Sequence, residues 1–169
     1  VGQSAATGIG VLFAARGVGA LLGPLVARRL RGDDERWLQQ AIGLAFFVTV
    51  IAYAGLAAAP NLALGALALG VAHMGISVIW VFSTALMNLW VPDPLKGRIF
   101  AADNSTFTLA LTFSTLLTGH ALDAWGMGPR TLMLTLAALL IIPAVAWRAL
   151  TRPGAKELEA EEAAGPGGF

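Results

Sequence analysis

The residues best suited to chemistry in this sequence are few and scattered. Arg16 stands near the middle of the first long apolar stretch, where a guanidinium is costly and rarely idle. It could bind an anionic group of a substrate or hold a carboxylate from another part of the protein. The plainer alternative is a structural pair with backbone carbonyls, or snorkelling to one interface. His73 titrates near neutral pH and is a possible proton carrier; the alternative is a hydrogen-bonded packing group. His120 and Asp123 fall near the outer end of the fourth apolar stretch and read as a solvated end. Asp103, close in sequence to Lys96 and Arg98, reads as an exposed residue or a cap for the fourth helix. No His-Glu-x-x-His, Gly-x-Ser-x-Gly or phosphate-loop pattern is present, so the reading is not an enzyme. With no cysteine, thiolate chemistry is excluded. No metal or cofactor is expected.

The elements that carry these residues follow from composition. Of the 169 residues, 57% are hydrophobic and 12% charged, and mean hydropathy is +0.73. A soluble domain carries about 25% charged residues, and a core this small could not hide the apolar surplus. A lipid bilayer is therefore the expected surrounding. The formal charge of +1 argues against a nucleic-acid partner. Five apolar stretches, Thr7–Arg28, Leu38–Ala59, Leu62–Val91, Ser105–Trp125 and Arg130–Leu150, reach the ~20 residues that cross a bilayer as helix. The expected fold is all-α: a polytopic transmembrane bundle of five membrane-spanning helices over residues 1–151. A disordered cytoplasmic tail is expected over 152–169, where Gly, Glu and Ala leave little to bury. Val1 is preceded by no methionine, and the expectation is of a chain whose earlier spans are absent.

Charge asymmetry orients the helices. Arg28, Arg29, Arg31 and Arg36 lie in the first connection, Lys96 and Arg98 in the third, and Arg148, Arg152 and Lys156 at the end; the other side has only Arg130. By the positive-inside rule the C-terminus is cytoplasmic. At about 100° per residue, Gly70, His73, Ser77, Trp80, Thr84 and Asn88 share one arc of the third helix, and Asn104, Thr108, Thr112, Thr115 and Gly119 one arc of the fourth. Polar side chains in a membrane turn toward protein or a watery cavity. The first, third and fourth helices are therefore expected to surround a site lined by Arg16, His73, Ser77, Trp80, Thr84, Asn88, Thr108, Thr112 and Thr115. The second and fifth, with Thr49, Tyr53, Thr131 and Thr135 as their notable polar groups, are expected behind them. Helix–helix packing is the alternative for both stripes. Gly19-x-x-x-Gly23 is a close-packing spacing.

The run Gly10-Val-Leu-Phe-Ala-Ala-Arg-Gly-Val-Gly-Ala-Leu-Leu-Gly23-Pro24 resembles the eighth helix of the major facilitator superfamily. Gly23-Pro-Leu-Val-Ala-Arg-Arg-Leu-Arg31 resembles the degenerate second copy of that family's cytoplasmic loop motif, with Ala27 at its aspartate position and Leu30 at its glycine position. Val91-Pro92-Asp-Pro94-Leu-Lys96-Gly97-Arg98 resembles the loop between its tenth and eleventh helices, and Gly119-His-Ala-Leu-Asp123-Ala-Trp-Gly126 the outer end of the eleventh. The resemblance covers about residues 5–150 and is nearest to bacterial small-molecule and drug exporters. It implies helices eight to twelve of twelve in a bacterial inner membrane. It further implies alternating access with proton antiport, a small-molecule substrate and an N-terminal transporter half as partner. A five-helix binding or assembly subunit, and an intramembrane enzyme using His73, His120 or Asp123, are the rival readings.

Overall fold

The computed structural model describes residues 2–151; the tail expected over 152–169, with Arg152 and Lys156, lies outside them. The described residues form five α-helices and no strand: α1 (Gly2–Arg31), α2 (Glu35–Ala58), α3 (Leu62–Trp90), α4 (Asp93–Asp123) and α5 (Pro129–Leu150). Four of these, α1, α2, α3 and α5, are long and apolar enough to cross a membrane. α4, the fourth of the five expected spans, does not reach their mean hydropathy. Its length suffices, but Asn104, Ser105, Thr106, Thr108, Thr112, Ser114, Thr115 and Thr118 dilute its hydropathy.

Local chemistry sets the helix ends. The Asp34 carboxylate accepts from the Trp37 N–H at 3.0 Å and caps α2. The Asn61 side chain accepts from the Leu64 N–H at 3.0 Å and caps α3; each satisfies a donor that the first turn leaves open. α4 starts about three turns earlier than the apolar pattern suggests. Pro92 is its N-cap and Pro94 lies in its first turn, where a missing N–H costs nothing. Lys96 and Arg98, expected in a loop, are therefore helical. Lys96 Nζ pairs with Asp93 Oδ1 at 2.7 Å, and that hydrogen bond and charge hold the exposed Asp93 carboxyl below its ordinary pKa. Asp103 is well inside α4 rather than capping it.

α3 is the central element, packed on α1 along one side and on α2 along another; α5 packs on α2. Leu38, Ala41, Ile42 and Ala45 of α2 meet Val78, Phe82 and Leu86 of α3 in the main apolar cluster. Small residues set how closely the helices approach. A Cβ on Gly19 would collide with the Gly70 carbonyl oxygen, and one on Gly23 with the Met74 carbonyl and, at 2.7 Å, Ser77 Oγ. Gly75 is equally tight against α2, with the Ala45 carbonyl 2.7 Å from where its Cβ would be. By contrast α4 has one buried residue, Ala121, and only slight contact with α5.

Three indoles gather the basic end of the bundle around the start of α2. Trp37 Nε1 donates to the Ala27 carbonyl at 2.9 Å, Trp90 Nε1 to Glu35 Oε1 at 2.7 Å, and Trp147 Nε1 to the Gln39 carbonyl at 2.9 Å. The Arg31 guanidinium sits 5.5 Å over the Trp37 ring. Trp147→Phe keeps most of the apolar contact and removes one donor. It is expected to lower stability by about 1 kcal/mol, measured as a lower midpoint of thermal unfolding in detergent micelles.

Candidate functional site

The close contacts fix the register of three helices. Ala15 and Gly19 lie against Gly70, and Gly23 lies against Met74 and Ser77, so α1 and α3 run parallel. Gly55 lies against Ala68, and Gly75 against Ala45 and Thr49, so α2 runs antiparallel to α3. Arg16, Tyr53 and the Leu69–Gly70 turn therefore stand at one level. The His73 ring folds back to this level, its Nδ1 donating to the Leu69 carbonyl at 3.0 Å. Arg16 is exposed, 6.0 Å over the Phe13 ring, and no described carboxylate pairs with it.

Farther along α3 a cleft of about 340 Å³ opens among α2, α3, α4 and α5. Phe46 and Thr49 form one wall, Trp80, Thr84 and Met87 the other, and Asp103 and Leu140 reach it from α4 and α5. Trp80 is half exposed and meets Phe107 edge-on, centroids 4.6 Å apart. A second, larger groove of about 460 Å³ between α2 and α3, lined by Val48, Ile51, Leu64 and Leu67 among others, is wholly apolar in its side chains.

The expected wall of α1, α3 and α4 is not what the helices form. α1 and α4 make no substantial contact, while α2 lies directly on α3. The cause is size: Gly75, Ala45 and Ala72 let α2 close on α3, whereas Trp80 and Phe107 hold α4 off. Of the residues expected to line one site, Arg16 and His73 stand at one level of the bundle. Trp80 and Thr84 line the cleft, Ser77 is at the α1 contact beside Gly23, and Asn88 is exposed beyond the cleft. Thr108, Thr112 and Thr115 are exposed on α4. Each donates to a carbonyl one turn back, at 2.8, 2.9 and 2.8 Å; Ser77 and Thr84 do likewise on α3, at 3.0 and 2.9 Å. Such hydroxyls can face lipid, protein or water at little cost.

At the basic end, Arg28 pairs with Asp33 at 2.7 Å, while Arg29 and Arg98 are exposed. His120 stacks edge-on with Trp125, centroids 5.3 Å apart. Among the described residues no three His, Asp or Glu side chains gather as a metal site. Tyr53, Thr49 and Asp103 enter the site although periodicity set them aside. The signal for the first two was available: Phe46, Thr49 and Tyr53 are spaced three and four apart, one face of α2. No protein-family model, curated protein or solved structure matches the chain.

Proposed function

We propose that this chain forms part of a secondary transporter of the major facilitator type, an exporter of small molecules driven by proton antiport across a bacterial inner membrane. The observation that carries the reading is the bare face of α4 beside the open cleft. α4 is more polar than the other four helices and has almost no partner among them. Its hydroxyls are satisfied within the helix, but Asn104 on the same face is matched better by water or further protein than by lipid. A cavity wall shared with the N-terminal half of a transporter supplies both. α1, buried only at Gly19 and Gly23 among the residues whose burial is described, has room for the same partner. The four apolar helices face lipid, and the basic ends of α1 and α5 with the start of α4 face the cytoplasm. Alternating access would rock the two halves about the midplane site.

The test is uptake into inverted membrane vesicles carrying the full-length protein, with an imposed pH gradient and a panel of cationic, anionic and neutral compounds. Gradient-dependent accumulation of at least one compound, abolished by an uncoupler, is the expected result. Absence of any gradient-dependent accumulation, with the protein folded and inserted, would overturn the reading in favour of a binding or assembly subunit.

A further inference from the structure

Within the described residues of α1, α2 and α3 the only carboxylate is Glu35, and it is at the opposite end of α2, bonded to Trp90. Arg16 is consequently a cation in the apolar part of the molecule with no carboxylate near its level on α1, α2 or α3. Two further polar groups converge there. The Tyr53 hydroxyl makes no hydrogen bond among the described residues and is half-buried. His73 spends Nδ1 on the Leu69 carbonyl, which leaves Nε2 unpartnered. Both residues continue the walls of the cleft. His73 precedes Ile76 and Trp80 by three and seven positions, and Tyr53 follows Thr49 and Phe46 by four and seven. The level of Arg16, Tyr53 and His73 thus lies beyond the end of the cleft remote from Asp103, one turn past the residues that line it.

We infer that Arg16, Tyr53 and His73 form the seat for a carboxylate of a small organic anion, held just beyond the outer end of the cleft along α3. Its being a cargo rests on the transporter reading. Arg16 supplies the charge and a planar pair of donors matched to a carboxylate. Tyr53 O–H adds a neutral donor. His73, its Nδ1–H fixed, presents Nε2, which becomes a third donor when the ring is protonated. The remainder of the ligand would lie along Trp80 and Phe46, which favours an aromatic or aliphatic body over a sugar. Gly70 and Gly19 serve the seat indirectly: their close contact brings Arg16 to the level of Tyr53.

Binding of radiolabelled benzoate to the full-length protein in lipid nanodiscs tests this, with benzylamine and benzyl alcohol as the cationic and neutral counterparts. Saturable benzoate binding is expected, displaced by unlabelled benzoate and not by benzylamine. Arg16→Gln should weaken it about tenfold to a hundredfold, as for loss of a charged hydrogen bond, and Tyr53→Phe about threefold to tenfold. Arg16→Lys, which keeps the charge without the planar pair, should recover part of the loss. Equal binding by Arg16→Gln and wild type would overturn the seat, and so would a preference for benzylamine. No benzoate binding, with Arg16→Gln unfolding at a lower temperature, would overturn it too and assign Arg16 to a carboxylate of the protein itself. Gradient-driven transport that benzoate does not inhibit would sink the seat and leave the transporter standing. Arg16-dependent benzoate binding without gradient-driven transport would do the reverse.

Discussion

Phe82→Ala is expected to lower the stability of the helix bundle by about 3–5 kcal/mol, the range for emptying a large aromatic site in a packed interior. Phe82 is fully buried between α2 and α3 within the cluster of Leu38, Ile42, Val78 and Leu86. A void there forfeits the dispersion contacts of the ring, which its neighbours cannot replace without moving. Leu and Ile side chains around the hole are held by close helix contacts at Gly75 and cannot collapse inward. Equilibrium unfolding in mixed detergent and denaturant micelles measures the loss. Phe82→Leu, retaining most of the volume, should cost less than half as much. Equal losses for the two variants would mean that packing at this site does not hold α2 to α3.

The second large effect concerns α1. Gly19→Leu is expected to cost about 3 kcal/mol, the upper part of the overpacking range, because the first added carbon already meets the backbone oxygen of Gly70. A flexible side chain could yield; a helix backbone cannot, so α1 and α3 must separate along their whole contact. Gly17 on the same helix has open space around it, and Gly17→Leu is the control expected to leave the unfolding midpoint unchanged. If Gly17→Leu and Gly19→Leu destabilise equally, close approach to Gly70 does not explain the effect, and neither does helix propensity, which favours leucine at both positions. Separation of α1 would also carry Arg16 away from Tyr53, so Gly19→Leu should weaken benzoate binding where Gly17→Leu does not.

How much of this was legible beforehand depended on the range of the interaction. The apolar pattern put the start of α3 at Leu62, where it is, and that of α2 at Leu38, three residues late; Asp34 and Asn61, acting on N–H groups three residues ahead, are the local signals that fix these starts. The start of α4 was not readable, since Pro92, Pro94, Lys96 and Arg98 look like loop residues although a first helical turn accepts all of them. Gly19 and Gly23 were recognisable as a packing spacing. That their partners are Gly70 and Met74 is a fact about α3, which spacing within α1 does not carry. Periodicity placed His73, Trp80 and Thr84 on one face correctly as a matter of angle. It could not say which helix stands opposite that face, because mutual fit decides the neighbour. Thr49 shows the consequence. It reads as an incidental polar residue of a peripheral helix, yet it is fully buried, its hydroxyl donating to the Ala45 carbonyl at 2.7 Å. A threonine able to satisfy itself within its own helix leaves no sign in the sequence that it lies in one of the close helix contacts of the bundle.

The three indole bonds around the start of α2 also impose an order on synthesis. Their partners are 10, 55 and 108 residues apart in the chain. As the polypeptide emerges, Trp37 can reach Ala27 at once, Trp90 can reach Glu35 only when α3 is complete, and Trp147 can reach Gln39 only after α5. Each later closure spans a longer loop, at an entropic cost that grows slowly with length. The first turns of α2 are therefore the site to which successive helices return. α4 passes through between the second and third closures without adding an indole bond of its own, which leaves its hydroxylated face open after the last one forms.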